Sequence, residues 1–186
     1  MALTKYKLGE LIEVVDERNA EGQYKLDSVR GISIEKIFIE TKADMSGVSL
    51  NPYFVVKPDS FAYVPVTSRN GSKITIAHNI TEQTYIVSSS YIVFKIARKD
   101  ILLSDYLFMY FNRPEFDRYS RFHSWGSARE TFSWAEMCNI EIDLPSLEIQ
   151  KKFSNVCVAL MNFRGLNFKL SEICPILIKG SIDEGK

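Results

Sequence analysis

The sequence predicts an α/β protein of the α+β type: a mixed, mostly antiparallel sheet with flanking helices, followed by a long C-terminal coiled-coil-type helix. Three observations predict this. Short β-branched and aromatic runs separated by turn residues fill residues 53–96, helical patterns take over after Asp100, and a seven-residue apolar repeat begins near Leu147. We divide the chain into a domain at 1–145, a helix at 146–175 and a flexible tail at 176–186.

Length and composition limit the class of protein. The chain has 186 residues, 46% of them hydrophobic, which suits one globular domain with an appendage. No stretch reaches the roughly 18 apolar residues of a membrane span, and the N-terminus lacks a signal-peptide pattern, so we expect a cytoplasmic protein without a membrane partner. Three unpaired cysteines and two histidines predict reduced thiols and no zinc site.

The first forty residues predict one helix and two strands. Tyr6–Val15 places its apolar residues at helical spacing, which predicts a short amphipathic helix. Leu26–Ile39 contains two β-branched clusters and predicts two strands, or one bent strand broken near Glu35. The polar stretch Thr41–Ser49 predicts a loop.

The central block predicts a sheet. Turns are expected at Lys57–Ser60 and at Arg69–Ser72, where Asn-Gly readily takes the positive φ of a hairpin turn. Pro65 indicates either an edge strand or a strand end. The expected strands are Tyr53–Val56, Phe61–Val66, Lys73–Ala77, Thr84–Val87 and Tyr91–Ile96.

Two helices and a loop follow the central block. Ser104 is the expected N-cap of a helix over Asp105–Asn112, and Pro114 suits the first turn of a second helix over Glu115–Phe122. The next features are a small-residue loop at Gly126–Arg129, a short turn around Trp134, and a strand at Ile140–Leu144 that stops at Pro145.

The C-terminal helix carries the strongest periodic pattern. Its apolar seam comprises Ile149, Phe153, Val156, Leu160, Phe163, Asn167, Leu170 and Cys174, spaced alternately by four and three residues. A single asparagine in such a seam typically fixes the register of a paired helix. The alternative is that this helix packs on its own domain, with the asparagine facing solvent.

Charge and polar residues indicate a surface that binds polar partners. The net charge is zero, but residues 57–99 carry six basic and two acidic side chains, which can focus positive potential on one face. Arginine and lysine bind phosphates or guanine, asparagine reads adenine, and serine approaches phosphates closely. The candidate binding residues are Arg69, Asn70, Lys73, His78, Asn79, Ser90, Tyr91, Arg121, Ser127 and Arg129. Tyr91, and Trp125 just before the small-residue loop, are equally compatible with a place in the core.

No catalytic set can be assembled from the sequence. It contains no glycine-rich phosphate loop, no nucleophile elbow, no zinc-protease motif and no amino-methyltransferase motif. His78 and His123 stand alone, and isolated histidines are more often structural than catalytic. We therefore expect a non-catalytic protein without a metal or cofactor of its own.

Five segments, in order, resemble the specificity subunit of type I restriction-modification enzymes over most of the chain, from Tyr6 to about Ile173. They are LGELIE near the start, Tyr53–Tyr63, Ile86–Phe94, Gly126–Arg129 and Ile142–Phe153. The resemblance implies a target recognition domain that reads one half of a split site in double-stranded DNA, and a helix that pairs antiparallel with a second helix.

The resemblance also implies partners. Methyltransferase subunits would dock on the chain and a restriction subunit would join indirectly, while S-adenosylmethionine, ATP and Mg would belong to those subunits. The family pattern has two recognition domains and two helices, whereas this sequence has one of each. It is therefore either a half-subunit that forms a homodimer or a fragment of a longer chain that contains a second recognition domain. A protein-interaction module whose helix docks a partner, without DNA reading, is the alternative function.

Overall fold

The computed structural model describes residues 3–41, 43–68, 73–157 and 159. Within these described ranges, ten strands and three helices form the domain. The strands are β1 (Thr4–Lys7), β2 (Ile12–Val14), β3 (Arg30–Ile32), β4 (Phe38–Glu40), β5 (Phe54–Val56), β6 (Phe61–Tyr63), β7 (Ile76–His78), β8 (Tyr85–Val87), β9 (Ile92–Ile96) and β10 (Glu141–Leu144). The helices are α1 (Ser104–Phe111), α2 (Pro114–Phe122) and α3 (Trp134–Cys138), and residues 147–157 form a further helix, α4.

The strands form one larger sheet and three small ones. The larger sheet has the order β2-β9-β6-β7, and the pairs β1-β10, β3-β4 and β5-β8 complete the set within the described residues. Every pair of named strands is antiparallel. The mostly antiparallel α+β architecture expected from the sequence is therefore confirmed.

Alternation along β6 explains how two faces of the larger sheet are filled. Phe61 and Tyr63 point into the main core, where α1, α2 and α3 cover the sheet, while Ala62 between them joins a second cluster beneath β5 and β8. Six fully buried aromatic rings dominate the main core: Phe61, Tyr63, Phe94, Phe111, Phe116 and Phe132. Their contacts fix the helices against the sheet, because large rings bury the most apolar surface.

The predicted N-terminal helix over Tyr6–Val15 is wrong. The segment forms β1, a single 3-10 turn at Leu8–Glu10, and β2. Its backbone pairs with distant strands, because β1 lies against β10 and the amide of Leu8 donates to the carbonyl of Ile140 at 2.8 Å. Leu8, Leu11 and Ile12 are still buried, but the backbone that carries them pairs with distant strands, so tertiary pairing overrides the local period.

Most other predicted elements are confirmed with small shifts. The break near Glu35 is a turn between β3 and β4, and Pro65 follows the end of a central strand. The strand expected at Lys73–Ala77 occupies Ile76–His78. Ser104 is the first helical residue and not the N-cap, which is Leu103.

Candidate nucleic-acid interface

The two ends of the larger sheet carry different chain segments. Tyr63 at the end of β6 pairs with Ile76 and with Ile92, the first residues of β7 and β9. The chain segments that enter β7 and β9 therefore lie together with the segment that leaves β6. We call this the loop end, and the opposite end, marked by Phe61, the helix end.

Two loops meet at the loop end. Thr67 is buried and donates its amide to the carbonyl of Glu130 at 2.9 Å, and its hydroxyl contacts the hydroxyl of Ser124 at 3.0 Å. The amide of Phe132 donates to the carbonyl of Pro65 at 2.8 Å. The chain leading toward the predicted Arg69–Ser72 turn is thus held against the loop that carries Arg129. Arg69 and Asn70 themselves lie outside the described residues.

The loop at residues 125–131 is a small hairpin with a demanding geometry. Trp125 and Thr131 exchange two backbone hydrogen bonds of 3.2 and 2.9 Å. Gly126 has a φ of +138°, and a Cβ atom there would lie 2.3 Å from the carbonyl oxygen of Arg129. Only glycine fits this close approach, so the backbone that presents Ser127 and Arg129 to solvent is fixed by Gly126.

The two arginines of this loop end differ in availability. Arg121 Nη1 lies 2.8 Å from the Glu130 carboxylate, although the angle is not that of a hydrogen bond. Arg129 is exposed, and its guanidinium has no ion-pair partner among the described residues. An unpaired guanidinium on an exposed loop is suited to a phosphate or a guanine edge.

Two exposed aromatic side chains border the same loop. Trp125 is 64% exposed and Phe122 is 75% exposed. Trp125 therefore does not belong to the core. Phe122 is not among the sequence-based candidates, because phenylalanine is usually buried and no local pattern marks this one as exposed. Exposed rings beside arginines are suited to stacking on sugars or unpaired bases.

The remaining loop-end candidates are distributed around the sheet edge. Lys73 is half-buried and pairs with Glu35 at 3.1 Å. Ser90 is exposed on the turn before β9, whereas Tyr91 packs into the second cluster, where burial raises its pKa. Ser90 is accessible to a ligand, and the Tyr91 ring serves mainly as support.

His78 and Asn79 lie at the helix end, away from these loops. His78 stacks on Phe61 with ring centroids 4.4 Å apart, and its Nε2 lies 3.1 Å from Asp59; burial lowers its pKa. Asn79 is buried and donates to the carbonyls of Val56 and Gln83. Both side chains are buried, and their hydrogen bonds are made to groups of the domain itself, although His78 Nδ1 makes none. We therefore leave both residues out of the proposed interface.

Asp59 organises the surroundings of His78. Although burial alone raises the pKa of a carboxyl, hydrogen bonds from Lys99, Ser104 and His78 hold the pKa of Asp59 below its ordinary value. Lys99 Nζ lies 2.6 Å from its carboxylate. Pairing of this kind extends through the basic block: its described members Lys57, Lys73, Lys95, Arg98 and Lys99 each contact a carboxylate, so they form no cluster of unpaired charge.

The first turns of α4 are attached to the helix end. Gln150 is completely buried, accepts from the amide of Leu103 at 3.0 Å and donates to the carbonyls of Ile101 and Pro145 at 2.8 and 2.9 Å. Ile149 is half-buried at this junction.

Only part of the apolar seam predicted for the C-terminal helix lies within the described residues. Phe153 is 50% exposed and Val156 is 59% exposed. The remaining predicted pairing residues, Leu160, Phe163, Asn167 and Leu170, lie outside the described residues. Two large apolar side chains on the solvent side of a short helix form a surface suited to a second helix.

The described residues contain neither a candidate metal site nor a helix that could cross a membrane. No group of three or more histidine, cysteine or acidic side chains there could hold a metal ion. None of the helices described is long and apolar enough to cross a membrane.

Comparison with known proteins identifies the family. The family model described as "Type I restriction modification DNA specificity domain" matches residues 3–162. The chain therefore belongs to this family. A search of curated proteins finds no match.

Solved structures share the fold. The S subunit of a type I restriction-modification system from M. genitalium matches with a TM-score of 0.55 and 14% identity over 94% of this chain and 43% of that one. The HsdS subunit from Thermoanaerobacter tengcongensis matches with a TM-score of 0.51 and 13% identity, over 86% of this chain and 37% of that one. A structure from work on complex assembly and conformational transition of a type I R-M system matches with a TM-score of 0.52 and 12% identity, over 91% of this chain and 41% of that one. This chain spans about two fifths of each.

Proposed function

We propose that this chain is a specificity subunit, or half of one, that reads one half of a bipartite DNA target. It would direct adenine methyltransferase and restriction subunits to that target. The family match supports a role in DNA specificity. The observation that carries the assignment to a surface is the convergence of two polar loops at the loop end, beside the Arg129 guanidinium, which has no ion-pair partner in the described part of the chain.

Each loop-end residue has a proposed role. Arg129 and Arg69 contact phosphates or guanines, and Asn70 reads a base edge. Ser127 and Ser90 approach the sugar-phosphate backbone of the DNA from exposed turns. Lys73 exchanges its Glu35 partner for a DNA phosphate. Arg121 supports the loop through Glu130.

The helix is the second part of the proposal. Residues 146–175 form a coiled-coil helix that pairs with the helix of a second copy, or of a second recognition domain, and so sets the distance between half-sites. The exposed Phe153 and Val156 support this pairing. The domain itself performs no chemistry; S-adenosylmethionine, ATP and Mg belong to the partner subunits.

The salt dependence of DNA binding tests the loop end. Each phosphate contact that is lost reduces the slope of log affinity against log salt by roughly 0.9. We expect the double variant Arg69→Ala, Arg129→Ala to flatten this slope by about 2 for a cognate duplex, measured by fluorescence anisotropy. The matched control is Arg98→Ala, because Arg98 is paired with Asp100 at 2.8 Å near the helix end and keeps the wild-type slope. An unchanged slope in the double variant would assign DNA binding to another face.

A protein-interaction module without DNA reading is the second candidate, favoured by the exposed apolar side chains of α4. Band-shift assays do not separate the two functions, because binding can require the methyltransferase. Co-expression with a candidate methyltransferase, followed by mapping of methylated adenines, does separate them. Loss of every mark on deletion of this chain supports DNA specificity, and retention of the same marks supports the alternative.

A further inference from the structure

Lys36 is a buried lysine in an unusual backbone conformation. It occupies the turn between β3 and β4, where its φ is +61°, and only 4% of its surface is accessible. Lysine is rarely buried, and a residue other than glycine seldom adopts positive φ. Two unfavourable features at one residue require strong local contacts to hold them.

Those contacts join the hairpin turn to the corner between α1 and α2. The ammonium of Lys36 donates to the carboxylate of Asp117 at 2.8 Å and to the carbonyl of Phe111, and it lies 5.5 Å above the ring of Phe116. Burial lowers the pKa of Lys36, and the Asp117 carboxylate opposes that shift. The ammonium therefore has specific partners although it is removed from water.

Asp117 extends this junction to the loop end. The same carboxylate oxygen that contacts Lys36 accepts a hydrogen bond from the amide of Ile74 at 3.1 Å. Beside it, Lys73 pairs with Glu35 at 3.1 Å. Two consecutive residues of the hairpin turn thus engage, directly or through Asp117, two consecutive residues that lead into β7.

This arrangement matches the contacts on the other side of the loop end. Thr67, which leaves β6, is buried and held by Ser124 and Glu130, whereas Ile74, which leads into β7, is held by Asp117. Both ends of the connection between β6 and β7 are therefore fixed by buried polar contacts. Fixed ends define where a connecting segment can place its side chains.

Stability alone does not account for the pair. Removal of two charges from water costs about as much as their attraction returns, so apolar residues of similar size often stabilise such a site equally well. A buried ion pair has a geometric requirement that apolar packing lacks, because its hydrogen bonds fix direction as well as distance.

We infer that Lys36 and Asp117 are positioning residues for DNA recognition: they hold the chain entering β7 in the orientation that places Lys73 against the target. The inference rests on the proposed function. It assigns sequence discrimination to two residues that do not themselves contact DNA.

The test compares Lys36→Met with wild type in the full-length chain. Hydrogen exchange measured by mass spectrometry reports on the peptide containing Ile74, and sequencing of duplexes retained from a random-sequence library reports on discrimination. We expect exchange at Ile74 to accelerate about tenfold. We also expect the preference for the selected motif over random duplex to fall about tenfold, the loss of one good base contact, while total retained DNA stays within about twofold.

The matched control is Lys95→Met, because Lys95 also pairs with a carboxylate, that of Glu13 at 3.1 Å, but is exposed on β9 of the larger sheet. This variant should behave as wild type in both measurements. If Lys36→Met does not fold, Asp117→Asn replaces it, because asparagine has nearly the size of aspartate but cannot form the ion pair with Lys36 that orients the Asp117 side chain.

The outcomes separate the two proposals. An unchanged motif in a folded Lys36→Met or Asp117→Asn chain overturns the positioning role while leaving the proposed function intact. A wild-type chain that selects no motif, alone or with a methyltransferase present, overturns the proposed function itself.

Discussion

Gly126 is the residue on which the shape of the Arg129 loop most directly depends. Alanine there combines an unfavourable φ of +138° with a Cβ atom only 2.3 Å from the carbonyl oxygen of Arg129. That oxygen belongs to the backbone, so it cannot move away as the end of a flexible side chain could. We expect Gly126→Ala to lower the free energy of unfolding by about 2 kcal/mol or more, measured by urea denaturation, and to weaken DNA binding.

Gly47→Ala is the matched control for this substitution. Gly47 also has a positive φ, +73°, but nothing lies within 4 Å of its Cβ position. Its substitution should cost only the backbone term, about 1 kcal/mol, and should leave DNA binding unchanged. Equal losses of stability in both variants would show that the close approach at Gly126 is relieved without cost.

His78 makes stability depend on pH. Burial lowers its pKa, an effect that the Asp59 carboxylate opposes, so the unfolded chain binds a proton at higher pH than the folded chain. The free energy of unfolding must then fall as the pH drops through about 6.5. We expect a decrease in Tm between about pH 7.5 and 5.5, and a smaller decrease in His78→Phe, which keeps the ring stacked on Phe61. Parallel Tm profiles would exclude His78 as the source.

At the scale of elements, Gln150 attaches α4 to the domain. Its replacement by leucine leaves the amide of Leu103 and the carbonyls of Ile101 and Pro145 without their side-chain partner in a buried site. We expect Gln150→Leu to lower the free energy of unfolding by about 2–4 kcal/mol and to increase hydrogen exchange in residues 147–157.

Lys152→Ala is the control for this element. Lys152 forms an exposed pair with Glu148 at 2.7 Å on the same helix, so its loss should change stability by less than about 0.5 kcal/mol. Wild-type exchange in Gln150→Leu would mean that apolar packing alone holds α4 in place.

The elements also show how far sequence reasoning reaches. The strands of the central block and both helices after Asp100 were predictable, because β-branched alternation and an N-terminal proline report local conformation directly. Residues 6–15 were not, since their apolar spacing fits a helix equally well and only pairing with β10 and β9 decides between the two.

The candidate site was predictable to a similar degree. The small-residue loop and Arg129 follow from local composition, and their exposure agrees with that expectation. The burial of His78 and Asn79 depends on stacking against Phe61 and on carbonyls of other strands, which no local pattern contains. The role of Lys36 was hidden for the same reason, because Asp117 lies 81 residues away in sequence.

At the scale of the whole molecule, the exposed seam of α4 predicts self-association. We expect the wild-type chain to sediment as a dimer and the double variant Phe153→Asp, Val156→Asp to sediment as a monomer, because two carboxylates cannot be buried between apolar helices without a large desolvation cost. Asn155→Asp is the control, since it adds one carboxylate on the same turn at an exposed position outside the seam. A wild-type monomer at high concentration would count against self-pairing.

The pairing of β1 with β10 has a consequence for the order of folding. Thr4 lies opposite Leu144, and β1 has no other strand partner among the described residues. During synthesis β1 therefore cannot pair with its partner strand until β10, near the end of the domain, has left the ribosome. Contacts over such a long sequence separation form slowly. The chain loses conformational entropy when the loop between the two strands closes, and it does so before the strand pairing contributes favourable free energy. The domain is thus completed after translation of its last strand, and a nascent chain that ends before residue 141 exposes the apolar surface that β10 covers.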